Sequence, residues 1–300
     1  MAGHKQIMTL GLLIFFACFI SVQRISAETG IRPDIIFAYS NTVFTEVAVK
    51  DAAAAMQIYA DEISRQLGYS NKMVTYDHLE TLISEVRNGN FDLVALPSSL
   101  EYLRIRDKVG LELAIGRLKG GKMSHKYLLL THQNRGYTKL GDLRHRKLTI
   151  PKGDRVAQLF LNTTLLREKQ GEMQGFFSSI EERAKSSQVL LSVFFGQADA
   201  CITTDVSFQT MVEMNPQVGK NLKVMASSPE LVTQVSVFRK SLREEIKQNV
   251  RGLGRSFKKS DRGRQMLLLF KIDDLAPLED SDLSSIRDLA SEYERLKGQR

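Results

Sequence analysis

From residue 34 onward the chain alternates short apolar runs with longer amphipathic stretches. Asp34–Tyr39 reads as a strand, and an Ala-rich helix follows over Val47–Leu67, closed by Gly68. Lys72–Tyr76 is a second predicted strand. A helix from Asp77 or His78 to Asn88 is stopped by Gly89, and Phe91–Leu96 is a third strand. Pro97-Ser98-Ser99 opens a helix through Leu103, because serine caps a helix start and proline suits its first turn. The plan then repeats. Strands are predicted at Lys126–Thr131, Lys147–Ile150, Gly175–Phe177, Ala198–Thr203, Leu222–Ala226 and Thr233–Phe238. Leu140–Arg144 reads as a helical turn. Asp154 caps a helix to about Glu168, and Gln188–Phe195 is an apolar helix ended by Gly196. The remainder is helical and strongly charged, with a loop at Asp274–Ser281 around Pro277. Strand, helix, strand at this spacing predicts βαβ units, hence an α/β fold with mainly parallel sheets in two tandem sets.

No fixed-period repeat and no Gly/Ser linker separates the two sets, so strands are expected to join them and to serve as a hinge. Ahead of both lies a different pattern. Lys5 precedes an apolar run from Ile7 to Val22, and Gln23–Ala27 ends on a small residue. That order predicts a secretory signal at residues 1–27, cleaved after Ala27, and so an exported protein.

Export changes the meaning of the charge. The 300 residues carry a formal +8, of which Lys5 and Arg24 leave with the signal, so the mature value is +6. Between Arg239 and Lys271, eleven basic residues face three acidic ones, a local +8. The rest of the mature chain is therefore slightly acidic, at −2. Basicity concentrated in one segment, interleaved only with Phe257 and Phe270, reads as a solvated face and not as a nucleic-acid site. Of two cysteines, Cys18 falls in the signal, and Cys201 sits in a predicted core strand where an unpaired thiol is best kept.

The chemistry-bearing motifs are absent: no G-x-G-x-x-G, no G-x-x-x-x-G-K-[ST], no G-x-S-x-G and no H-E-x-x-H. His78, His125, His132 and His145 lack metal-ligand spacing and read as surface histidines. Asp92 and Asp199 each follow a glycine at a strand entrance and read as turn residues. No metal, cofactor or catalytic set is expected. What remains is a set of polar loops after predicted strands: Ser40-Asn41-Thr42, Pro97-Ser98-Ser99, Lys152-Gly153-Asp154-Arg155 and Thr203-Thr204-Asp205. In parallel α/β sheets ligands bind beyond the carboxyl ends of strands, where helix N-termini offer free N–H groups. Two loops come from each set, which places the candidate site in a cleft between lobes.

Three stretches carry a family resemblance. Ser124–Leu130, followed by Leu140–Ile150, is similar to a strand, a "dLkGkkva" turn and a second strand. Ser187–Ala200 is similar to a helix ending in "av..G.vDa", and Gly89–Tyr102 to "g..Dla.l.p..Y". Together they resemble the phosphate/phosphite/phosphonate-binding proteins of bacterial ABC importers. The resemblance implies a two-lobed type II periplasmic-binding-protein fold with a hinge. It implies a first lobe from residues 28–125 and 229–300, completed by the C-terminal helices, and a second from residues 126–228. It further implies a monomer that binds a small ligand and is read by importer membrane subunits, without catalysis. A ligand-sensing adaptor acting on a membrane sensor is the alternative. The ligand residues expected are Asn41, Thr42, Ser98, Ser99 and Tyr102 from the first lobe. From the second they are Asp154, Arg155, Thr203, Thr204 and Asp205. One departure bears on specificity. Where the family has Ser-Thr-Ser-Gly, this chain has Lys152-Gly153-Asp154-Arg155. The hydroxyls are gone, a capping carboxylate would occupy the amides an oxyanion needs, and Arg155 is left to meet negative charge.

Overall fold

The structure is a computed structural model that describes residues 34–41, 49–253 and 257–299. The signal expected at residues 1–27 lies outside them. The elements in chain order are β1 (Ile35–Ser40), α1 (Val49–Leu67), β2 (Asn71–Tyr76), α2 (Leu79–Asn88), β3 (Leu93–Leu96), α3 (Ser99–Val109), β4 (Leu111–Leu113) and β5 (Ile115–Leu118). There follow β6 (Tyr127–His132), β7 (Lys147–Pro151), α4 (Arg155–Arg167), α5 (Met173–Phe176), β8 (Ser179–Arg183), α6 (Ser186–Phe194), β9 (Ala200–Thr204), α7 (Asp205–Met214), α8 (Pro216–Asn221) and β10 (Leu222–Ser227). The chain ends with β11 (Val235–Arg239), α9 (Glu244–Arg251), α10 (Asp261–Leu269), β12 (Asp274–Pro277) and α11 (Ser284–Lys297).

Two five-stranded sheets result, ordered β2-β1-β3-β11-β4 and β10-β6-β9-β7-β8, with β12-β5 as a separate ribbon. The α/β character is as expected, but the sheets are mixed. β11 runs against β3 and β4, and β6 runs against both β10 and β9. The reason is connectivity: a strand that enters from the opposite sheet arrives pointing the other way, with no crossover helix to turn it parallel.

Period-two alternation sorts each sheet into two buried faces. In the first sheet Ile35, Phe37, Leu93 and Phe238 pack with Ile63, Ile246 and Met266 of the covering helices. Ala38, Val94, Leu96, Val235 and Val237 face the other way, into a core continuous with Leu129, Leu148, Ile150, Ala200 and Ile202 of the second sheet. Leu128, Leu130 and Cys201 turn to α6 and α8. Cys201 is fully buried, and burial pushes its thiol well above the usual range, so it is inert packing.

Several local expectations shift. The strand expected at Gly175–Phe177 is instead the short helix α5, whose Phe176 stacks edge-on with Phe177 at 4.9 Å inside the core. The strand role passes to Ser179–Arg183, an edge strand of mostly exposed polar side chains that carries no apolar signature. Asp274–Pro277, expected as loop, pairs with β5. The last helix packs along α4, with Arg167 holding Glu292 through two hydrogen bonds of 2.7 and 2.6 Å, and also touches α3 of the first sheet's side. Its apolar stripe, Ile286 and Leu289, joins the core shared by both sheets.

The basic segment is exposed over much of its length, as at Lys240, Lys259, Arg262 and Lys271, but several of its charges are paired. Arg239 pairs with Asp92, Arg243 with Asp34, Lys247 and Arg251 with Glu112, and Lys258 with Asp274. Asp34, Asp92 and Glu112 come from distant parts of the chain. Another contact ties the same region to α1. Glu62, fully buried, accepts from Arg65 (3.0 and 2.6 Å), Gln66 (2.6 Å) and Ser260 (2.7 Å). These donors, Arg65 first, hold its carboxyl down to about 2. A carboxylate with a lowered folded value contributes stability that is complete above its ordinary value near 4.5 and is lost as pH falls toward 2. At neutral pH, Glu62→Gln is therefore expected to lose about 2 kcal/mol, after discounting for the exposed Arg65. The gap from wild type should narrow below pH 4.5 and close only below about pH 2. Urea midpoints at pH 7 and pH 3 check this, and a gap that does not narrow contradicts it.

Candidate functional site

The chain crosses between the sheets at Ser124–Lys126 and returns at Ser228–Val232. The two crossings are hydrogen-bonded to each other. His125 N–H donates to Leu231 O (3.1 Å), and Leu231 N–H donates to His125 O (2.9 Å). Tyr127 N–H donates to Ser228 Oγ (2.8 Å), and Ser228 N–H to Tyr127 O (2.9 Å). His125 thus stands at the centre of the crossing, with Thr233 Oγ1 3.4 Å from its Nε2 and the Tyr127 ring edge-on at 5.6 Å.

Helix N-termini from both sheets point here. On the first-sheet side, Ser98 caps α3 by accepting from Leu100 N–H (3.1 Å), and Ser99 N–H donates to Thr233 O (2.7 Å). Ser99 is fully buried, and its Oγ has no partner among the described residues. On the second-sheet side, Asp154 caps α4, its Oδ1 accepting from Val156 N–H (3.1 Å) and Ala157 N–H (3.0 Å). Its Oδ2 accepts the Tyr127 hydroxyl at 2.6 Å. Thr204 caps α7 by accepting from Ser207 N–H (3.1 Å), and Asp205 Oδ1 accepts from Lys126 N–H (3.1 Å) and Val206 N–H (2.8 Å).

The electrostatics follow from burial. Burial raises Asp154 against the lowering pull of Tyr127 and of the α4 amides. Burial lowers His125, opposed by Asp205 and Asp154 and aided by Arg117. Burial first, then Asp154, pushes the Tyr127 hydroxyl well up, so it is a standing hydrogen-bond donor.

Of the residues singled out in sequence, Ser98, Ser99, Asp154 and Asp205 therefore gather around His125, Tyr127 and Thr233. Thr203 is fully buried in β9 with no partner for its Oγ1 among the described residues. Asn41 donates to Asp77 (2.9 Å). Thr42 lies outside the described residues. Tyr102 is buried beneath Arg106, whose guanidinium carbon is 5.5 Å from the ring centroid and which pairs with Asp280 at 2.7 Å. Arg155 pairs with the buried Glu101 of α3 across the two lobes, beside Arg104. It is thereby committed to a carboxylate of the protein. His125 reads in sequence as a surface histidine and is instead partly buried at the crossing, while Tyr127 and Thr233 read only as strand residues. Their one signal was position: each lies where the chain passes from one set to the other.

Among the described residues, no group of three His, Cys, Asp or Glu could hold a metal, and no helix is long and apolar enough to cross a membrane. The arrangement is a cluster of hydroxyls, one imidazole and two carboxylates where the chain crosses between the sheets, groups able to hydrogen-bond a small polar molecule.

A sequence model of the family described as "ABC transporter, phosphonate, periplasmic substrate-binding protein" matches residues 42–283. No protein of curated function matches at the sequence level. Among solved structures, PhnD1 of Prochlorococcus marinus in complex with methylphosphonate superposes with a TM-score of 0.65 at 15% identity, covering 87% of this chain and 99% of that one. A binding-protein component of an ABC phosphonate transporter from Pseudomonas aeruginosa gives 0.65 at 15%, covering 88% and 87%. A Xanthomonas citri protein bound to ATP gives 0.65 at 13%, covering 88% and 98%. These likenesses share the two-lobed α/β fold.

Proposed function

The chain belongs to the family of periplasmic substrate-binding proteins of phosphonate ABC transporters, and from that premise we propose that it holds a small anionic ligand in the cleft around His125 and delivers it to importer membrane subunits. The observation that carries this reading is the meeting of groups from both sheets at one crossing: Ser99 with Thr233 on one side, Asp154 with Tyr127 on the other. Lobe one would comprise the β2-β1-β3-β11-β4 sheet and its helices, lobe two the other sheet, and the paired crossings at His125 and Leu231 would be the hinge. The ligand would act by stabilising the closed form, which the importer reads, and binding alone would suffice without turnover. Residues 1–27 would be removed on export, and the mature protein would work as a monomer in the periplasm, without nucleic acid.

The altered loop at Lys152–Arg155 makes the ligand's identity an open choice within the class. Calorimetry against methylphosphonate, phosphate, phosphite, an alkylsulfonate and amino acids is expected to show one anionic solute binding. X-ray scattering should show a smaller radius of gyration with that solute. Absence of heat from every solute, with an unchanged scattering profile, would overturn the reading.

A further inference from the structure

Arg117 lies on β5. It makes no hydrogen bond and no ion pair with any described residue. It lines a cavity of about 60 Å³ together with Met56, Tyr59, Leu96, Gln234 and Ser236. By the volume one water needs, this admits about four to five non-hydrogen atoms. Its walls are mostly apolar, and a guanidinium beside them with no counterion among the described residues is costly to keep. Such a residue is explained when an anion supplies the missing charge.

The cavity's place supports a ligand role. Leu96 ends β3 directly before the Pro97-Ser98-Ser99 turn, and Gln234 follows Thr233, whose carbonyl holds Ser99 N–H. Arg117 is also near enough to His125 to help lower its pKa. Burial lowers Arg117 itself, as for a cation with no counterion among the described residues. On the second-lobe side the α4 amides are taken by Asp154, and Arg155 is taken by Glu101. Arg117 is thus the cation beside the cleft that the protein leaves unsatisfied among the described residues.

We propose that the cavity beside Arg117 receives the anionic head of a short organic anion such as an alkylphosphonate, shifting head-group recognition from the second lobe's loop to the first lobe. This rests on the reading that the protein binds a small anion. In it, Arg117 donates two N–H groups to the head, the Tyr59 hydroxyl and Ser236 add hydrogen bonds, and Met56 and Leu96 take the alkyl part.

The test uses the full mature protein with methylphosphonate and inorganic phosphate as probes, followed by calorimetry and by thermal melting with and without each probe. Arg117→Met keeps the side-chain length and removes the charge. Without probe it is expected to melt no lower than wild type, because a charge with no partner among the described residues has been removed from mostly apolar surroundings. Its affinity for methylphosphonate is expected to fall about 10- to 50-fold, and the probe-induced rise in melting temperature to vanish. Arg117→Lys, which keeps charge but loses the fork, is expected to fall between the two and decides the matter if Arg117→Met fails to fold. Undiminished methylphosphonate binding by either variant overturns the Arg117 assignment while leaving cleft binding intact. A wild type that binds neither probe overturns this assignment, while the broader reading still stands or falls on the other solutes.

Discussion

Asp92→Ala is expected to cost about 4 kcal/mol of folding stability. The carboxylate is 1% exposed, and it is a brace between strands, not the turn residue its sequence setting predicts. Its Oδ2 accepts Ile36 N–H of β1 at 3.0 Å, and its Oδ1 accepts Arg239 Nη2 of β11 at 2.7 Å. The backbone closes the same knot, Asp92 N–H donating to Ile36 O (2.8 Å) and Arg239 N–H to Asp92 O (3.0 Å). Alanine would strand a largely buried guanidinium, whose Nε already has no partner among the described residues, along with a buried amide. Breaking one side of such a pair leaves the other charge uncompensated, which costs more than the pair is worth. The double variant Asp92→Ala with Arg239→Leu should therefore recover much of the loss, and a double-mutant cycle by urea unfolding measures it. A single-variant loss under 1 kcal/mol would show that the pair is incidental.

The second large effect is a gain. Asp154→Ser is expected to raise the affinity for inorganic phosphate and methylphosphonate by roughly 100-fold, about 3 kcal/mol. Asp154 stands at the N-terminus of α4, where free amides would otherwise favour an anion. Its carboxylate occupies the Val156 and Ala157 amides and would repel an oxyanion about 5 Å away by about 3 kcal/mol at an effective dielectric near 20. Serine keeps a cap, so the helix start should survive at a cost of about 1 kcal/mol. It also frees the Tyr127 hydroxyl to donate to ligand. Calorimetry with phosphate on the two proteins decides it. An unchanged affinity would show that the carboxylate is not what closes the second lobe to anions.

Much of the fold was legible because it is written locally. The caps at Ser98, Asp154 and Thr204 are short-range features, a side chain bonding an amide two or three residues on. The stop at Gly89 is likewise local, its φ of 73° being one that glycine adopts without strain. Runs such as Leu128–Leu130 fix buried strands for the same reason. The elements that were missed are those with little apolar signature, such as the edge strand Ser179–Arg183. The candidate cleft was half legible. The loops that approach it follow from strand and helix order, and the loss of the Ser-Thr-Ser-Gly run is visible in the residues themselves. How those side chains are used was not. Arg155 reads as an anion contact until Glu101, 54 residues earlier, is seen to claim it.

By itself, then, the sequence determined the α/β alternation, the two sets, the family and the helix starts that approach the cleft. Each depends on periodicity, on capping or on motifs within a few tens of residues. Tertiary structure alone decided which charges are satisfied. Asp92 meets Arg239 across 147 residues because β11 returns to lie beside β3. The same return puts Gln234 and Ser236 at the Arg117 cavity, and the crossing puts His125 at the centre of the cleft. A charge's partner is set by which strands become neighbours, and neighbour order in a sheet is a property of the whole chain's packing that no local pattern encodes.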